Sequence, residues 1–165
     1  MNQKATILLV GGTGKTGRRL SDRLVALGHN VRIASPSAEH SFVWEDHTTW
    51  RPVLEGVDGV YIAHHDITHP DAGEQIGQLS QLALSCGVSR QVLLSGRTDE
   101  RFYAFVDGGM RAGDADWTIL RPAWFMQNFS EMFFFDAVLA GEIALPVGDA
   151  TEPFIDVEDV AAVAA

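Results

Sequence analysis

Residues 5–20, ATILLVGGTGKTGRRL, restrict what this chain can fold into more than any other stretch. The run from Ala5 to Val10 is apolar and carries β-branched Thr6 and Ile7, which suits a strand buried on both faces. Gly11, Gly14 and Gly17 follow at G-x-x-G-x-x-G spacing. Residues 15–27 then read as a helix, with Leu20, Leu24 and Leu27 on one stripe and Gly28 at its end. Strand, glycine turn and helix in that order read as a phosphate cradle, with a plain tight βα connection as the alternative. Gly11 lets the chain leave the strand tightly, and Gly14 removes a Cβ that would hold a pyrophosphate off the backbone. Gly17 lets the helix pack closely on the sheet. The free N–H groups and positive dipole end of the helix face the phosphates. The motif is not a P-loop, because the four-residue gap between glycines before Lys15-Thr16 is absent.

Further along, strand-like runs alternate with helical patterns. Residues 31–34 read as a second strand, ended by Ser35-Pro36-Ser37 because proline cannot continue a central strand. Residues 42–44 read as a short third strand, followed by a brief helix that Thr48 or Thr49 caps and Gly56 closes. Residues 59–63, 91–94 and 117–120 are the fourth, fifth and sixth strands, with helices over 70–85 and 102–111 between them. A last helix starts near Val157, with Asp156 as its N-cap. The alternation predicts an α/β doubly wound parallel sheet of order 3-2-1-4-5-6 with helices on both faces. Ligands then bind above the carboxyl ends of strands 1 and 4. The 165 residues read as one domain without repeats or linkers.

Composition narrows the partners. Hydrophobic residues at 46% argue against disorder. A net charge of −10, from 12 basic and 22 acidic residues, offers no basic stripe for nucleic acid or an anionic membrane. Cys86 is the single cysteine, and its place near the end of an apolar helix pattern reads as a buried structural thiol. ATILLV is too short for a signal peptide, and Gln127, Asn128, Glu131 and Asp136 interrupt the most apolar region. The expected location is therefore cytoplasmic.

Several stretches together resemble the NmrA-like branch of the atypical short-chain dehydrogenase/reductase family. They are VGGTGKTGRRL (10–20), VWEDHTTW (43–50), GVDGVYIA (56–63), GVSRQVLLS (87–95), DWTILRPAWFMQNFSE (116–131) and FIDVEDVAAVA (154–164). The pattern is most similar to the agroclavine-dehydrogenase-like and quinone-reductase-like members. This resemblance implies a Rossmann fold with bound NADP(H) or NAD(H). It places cofactor contacts on Gly11, Thr13, Gly14, Lys15, Thr16 and Gly17 of the turn. Further contacts fall on Ser35, Ala63, His64, Ser95 and Pro122 at the strand ends. The family continues for roughly a hundred residues further, a size fitting a larger α/β domain. The expectation is one NAD(P)-binding domain over 1–165, with the substrate region short or missing.

The catalytic residues of that family are only partly matched. Ser95 ends strand 5, where the family carries a serine. Tyr103 is followed by Asp107 where Y-x-x-x-K would have lysine, and a carboxylate there would raise the tyrosine pKa by repelling the phenolate. Reducing an iminium needs no such acid, since the cation accepts hydride directly. His64 and His65, leaving strand 4, are alternative proton donors or plain loop residues meeting solvent. A metal held by His64, His65, Asp66 and His69 is disfavoured, because neighbours on a strand point to opposite faces.

No acid stands at the end of strand 2 to prefer NAD, and Lys15 and Arg18 could meet a 2′-phosphate, so NADP(H) is favoured with NAD(H) possible. On the substrate side, the resemblance implies that residues 122–128 line the nicotinamide and substrate crevice, with Asn128 the polar residue placed to hold a carbonyl or ribose hydroxyl. Trp124, Phe125 and Phe129 belong to an aromatic run in which Phe125, Phe129 and Phe133 share one helical face. That face reads as core, as a wall for a flat substrate, or as a homodimer seam. The leading expectation is an NAD(P)H-dependent reductase of a small or aromatic carbonyl, quinone or iminium compound. The alternatives are a non-catalytic dinucleotide sensor and a non-redox, cyclase-like enzyme on the same scaffold.

Overall fold

The computed structural model describes residues 4–111, 113–146 and 148–165, the side chain of Tyr103 excepted. The first half alternates β1 (Thr6–Val10), α1 (Lys15–Ala26), β2 (Asn30–Ser35), β3 (His40–Ser41), α2 (Trp50–Leu54) and β4 (Gly59–Ala63). Then come α3 (Ala72–Ser85), β5 (Arg90–Leu94), α4 (Glu100–Val106), α5 (Gly108–Arg111) and β6 (Asp116–Leu120). Among the described residues these six strands form one parallel sheet in the order β3-β2-β1-β4-β5-β6, as the alternation predicts. The order reverses between β1 and β4, which opens a crevice at their carboxyl ends.

Side chains of β1 divide strictly by parity. Leu8 and Val10 enter the larger core, with Ile76 and Leu79 of α3, Val106 and Met110. Leu9 enters a smaller one with Leu20, Leu24, Tyr61 and Ala161. An apolar run buried on both faces is what a central parallel strand requires. The smaller face is covered by α1 and by α7 (Val157–Ala164), whose N-cap Asp156 accepts from the Glu158 N–H as expected.

Three local expectations need correction. The third strand is His40–Ser41, not residues 42–44. Phe42 and Trp44 turn inward onto Trp50, with ring centroids 5.9 and 5.8 Å from it, and Trp50 Nε1 donates to the Val43 carbonyl at 2.9 Å. Bulky residues that read as a strand build a buried corner instead. Asp46 caps the 3₁₀ turn His47–Thr49 and accepts from the Thr48 N–H at 3.0 Å, while Thr49 is the N-cap of α2, as one of the two expected candidates, without a side-chain hydrogen bond. The helix expected over 102–111 is two pieces, α4 and α5, either side of Asp107. Cys86 is half-buried at the end of α3.

Helices α3 and α5 meet backbone to backbone. A Cβ on Gly77 would lie 2.9 Å from Gly109 Cα, and one on Gly109 would lie 2.5 Å from the Gly73 carbonyl oxygen. Beyond β6 the chain forms β7 (Trp124–Phe125), a 3₁₀ turn, α6 (Phe135–Ala140) and β8 (Phe154–Ile155), with β7 and β8 paired in parallel. No described helix is long and apolar enough to cross a membrane.

Candidate dinucleotide site

The glycine turn is wedged between β2 and β4. Gly11 has φ +77°, donates its N–H to the Ala34 carbonyl at 3.0 Å, and has no room for a Cβ, which would sit 2.8 Å from the Ala63 carbonyl oxygen. Gly17 does not pack on the sheet as expected. Its missing Cβ would lie 2.5 Å from Gly11 O and 2.6 Å from Gly12 Cα, so α1 packs on the turn itself. At the tip, Thr13 and Gly14 are exposed. Gly14 caps α1 without a side chain, and the first turn of α1 holds no acid. Its backbone amides and dipole end are therefore open to an anion.

Thr16 differs from the expectation of a direct contact. Its buried hydroxyl accepts from Tyr61 Oη at 3.0 Å, and burial pushes the Tyr61 phenol up to about 12. The threonine side chain is a strut between α1 and β4.

Two buried serines flank the turn. Ser35 ends β2, and Ser95 follows β5, its N–H donating to the Leu120 carbonyl at 2.8 Å. Neither hydroxyl has a hydrogen-bond partner among the described residues. The next ladder bond, Arg97 N–H to Pro122 O at 2.9 Å, brings Pro122 alongside Ser95. Gly11, Ser35, Ala63, Ser95 and Pro122 thus share one edge. A Cβ-free cradle, an uncapped helix and two orphan hydroxyls fit a dinucleotide.

The histidines part ways. His64 is buried, its Nδ1 accepting from the Asp66 N–H at 3.1 Å and its Nε2 lying 2.9 Å from Gln75 Oε1. That pattern puts the ring proton on Nε2, and burial lowers the His64 pKa below its ordinary value. His64 is a neutral, locked ring rather than a proton donor to substrate. His65 is exposed, stacks on His64 at 4.7 Å between centroids, and lies 3.8 Å from Glu45. Among the described residues no cluster of three His, Cys, Asp or Glu could hold a metal.

Asp107 does not act on Tyr103 as a lone repelling charge. It is fully buried and accepts from Arg121 Nε at 2.9 Å and Nη2 at 2.5 Å, so its charge is met by a guanidinium. Tyr103 lies on α4, and its side chain falls outside the described residues.

The aromatic run is not one helix. With β7 tied to β8, Gln127 is drawn to Asp156 Oδ1 at 2.8 Å and accepts from the Val157 N–H at 2.9 Å, so helical spacing is lost. Phe129 faces Phe134 and Phe154, each at 5.1 Å between centroids, and Trp124 stacks on Phe134. Phe125 and Phe133 face Lys15, whose Nζ is 5.9 and 5.7 Å from their ring centres and donates to Asn128 Oδ1 at 2.6 Å.

Arg18 pairs with Glu131, and Arg19 bridges Glu131 at 2.7 Å and Glu158 at 2.9 Å, which lowers the Glu131 pKa. Lys15 and Arg18 therefore engage Asn128 and Glu131 and do not stand free for a 2′-phosphate. Asn128 accepts from Lys15 at its Oδ1. Sequence reading misses Gln75, Glu131 and Arg121 as organisers, because their partners lie 11 (His64), 113 (Arg18) and 14 (Asp107) residues away, outside the spacing of one helix turn or strand.

No family model matches the chain. Curated relatives do, over nearly its whole length. It is 30% identical over 172 residues to the uncharacterized oxidoreductase YesF of Bacillus subtilis, covering 98% of this chain and 59% of that protein. It is 32% identical over 184 residues to agroclavine dehydrogenase of Claviceps fusiformis, covering 96% of this chain and 61% of that protein. The structure superposes on the negative transcriptional regulator NmrA, solved with NAD, at a TM-score of 0.74 and 17% identity over 97% of this chain and 60% of that one. The sequence relatives carry oxidoreductase and dehydrogenase names, and the fold is shared with NmrA. The triphenylmethane reductase of a Citrobacter species, solved with NADP(H), shares the fold at a TM-score of 0.69 and 16% identity, covering 96% of this chain and 64% of that one. The chain spans about three fifths of the length of the curated relatives it matches.

Proposed function

We propose that this NmrA-like chain binds a nicotinamide dinucleotide and serves as a reductase of a small or aromatic carbonyl, quinone or iminium compound. The observation that carries the reading is the glycine turn, a Cβ-free cradle opening onto an uncapped, acid-free helix terminus. Its relatives named as oxidoreductases and dehydrogenases support the direction of the chemistry. The dinucleotide supplies the hydride. The chain's own residues do the rest: the amides after Gly14 hold the pyrophosphate, Ser35 and Ser95 offer hydroxyls along the dinucleotide's length, and Phe125, Phe129 and Trp124 wall the acceptor side. Where the acceptor needs a proton, Tyr103, Ser95 and His65 are the donors to test. An iminium needs none of them.

NADP(H) is the first form to test, because Ser35, Pro36 and Ser37 put no carboxylate at the end of β2 to hold a free 2′-hydroxyl. Titration of NADPH and NADH by calorimetry or nicotinamide fluorescence tests the reading directly. Binding of either, followed by acceptor-dependent loss of NADPH absorbance, is the expected result, and failure of both to bind sinks it.

One observation favours a second reading, a dinucleotide sensor without turnover. Asp107 replaces the family lysine and is locked onto Arg121. Binding without oxidation of any quinone, ketone or iminium probe selects that reading. The exposed side chains of Phe133 (71%) and Leu139 (72%) are where we place a homodimer seam, which equilibrium sedimentation tests.

A further inference from the structure

Lys15 stands between the two walls of the crevice. It opens α1 directly after the glycine turn, yet its ammonium reaches away from that turn to Asn128 Oδ1 at 2.6 Å. Asn128 is only 5% exposed, so a buried amide oxygen holds the ammonium beside the rings of Phe125 and the largely exposed Phe133. An amide oxygen with two aromatic faces is a receptor for positive charge. Burial lowers the Lys15 pKa, Glu131 opposes that shift, and Arg18 and Arg19 add to it. The ammonium is thus held against a loss of hydration. An anion on the first-turn amides is a competing partner beside the lysine's own backbone.

We propose that Lys15 is a stopper: it fills a cation-binding box of Phe125, Phe133 and Asn128, and an anion bound at the glycine turn draws it out. The identity of that anion, a dinucleotide pyrophosphate, rests on the function proposed above. With Lys15 on a phosphate, the box opens to the positive or electron-poor part of a second ligand. Nucleotide therefore binds first. The net charge of −10 favours the approach of a cation once the box is open.

The test titrates tetramethylammonium into the protein by calorimetry, alone and with saturating ADP-ribose, which carries the pyrophosphate and lacks the nicotinamide ring. The same titration is made on Lys15→Ala without nucleotide. The expected result is affinity about tenfold higher with ADP-ribose than without, a factor within the range of one cation–aromatic contact. Lys15→Ala should match the raised value unaided. Adding Phe133→Leu to Lys15→Ala should remove the gain; Phe133 is largely exposed, so that change leaves the core untouched. Equal affinity of the wild type and Lys15→Ala overturns the stopper. So does ADP-ribose that binds without moving the tetramethylammonium affinity. If ADP-ribose fails to bind, the dinucleotide reading and the withdrawal step fall together, while Lys15→Ala still reports separately on the box.

Discussion

The two walls of the crevice are built in opposite ways. The glycine-turn wall is backbone: Gly11, Gly12 and Gly17 sit so close that missing Cβ atoms define its shape. The facing wall, residues 124–135, is side chain: exposed rings around a lysine, an asparagine and an arginine–glutamate cluster. A backbone wall tolerates almost no substitution and shifts little. A side-chain wall can exchange partners, which is what selecting and admitting a ligand requires.

The contrast can be broken first at its rigid end. Gly17→Val drives a branched side chain into Gly11 and Gly12, where only backbone could yield. It should cost about 3 kcal/mol, at the upper end of overpacking, and abolish dinucleotide binding. Urea melts and an NADPH titration check both. Next in size is Asp107→Ala, which removes the buried carboxylate that accepts from Arg121 just before the side-chain wall. Arg121 is about one-third exposed and partly rehydrates, so about 2 kcal/mol is expected in the same melts. Tyr61→Phe removes the strut to Thr16 beneath the backbone wall and should cost about 1 kcal/mol.

A fourth change reads pH. Burial holds the His64 pKa below its ordinary value, so the unfolded chain takes up that proton first. Its contribution is complete above about pH 6.5 and is lost as the pH falls from there through the lower folded-state value. His64→Gln should flatten the fall in urea midpoint between pH 7.5 and 5.5, set as a window of about one unit either side of the free histidine value. An unchanged slope means that His64 is not what titrates. The smallest effect belongs to Arg18→Ala. Its ion pair with Glu131 is half-exposed and shared with Arg19, so a change under about 0.5 kcal/mol is expected.

Legibility in the sequence follows the same division. The strand–turn–helix unit and the sheet order were readable because β1 parity, glycine spacing and alternation are local patterns, and the turn's geometry comes from those residues alone. Phe42 and Trp44 were misread because a buried aromatic corner and a short strand have the same composition. The helix expected through Phe125, Phe129 and Phe133 failed because Gln127 answers to Asp156 and Val157, about thirty residues away, a distance that periodicity does not see. Lys15 is the sharpest case. Its position beside the turn suggested a phosphate, and only the fold reveals Asn128 as its partner, 113 residues further on.

The contact between α3 and α5 has a consequence of another kind. A tight contact between ordinary side chains can be relieved, after one of them grows, by trimming the other. Gly73, Gly77 and Gly109 leave nothing to trim, since no residue is smaller than glycine. A first enlargement there has no second-site remedy on the opposing helix, so this line of the fold can be abandoned only by moving both helices together.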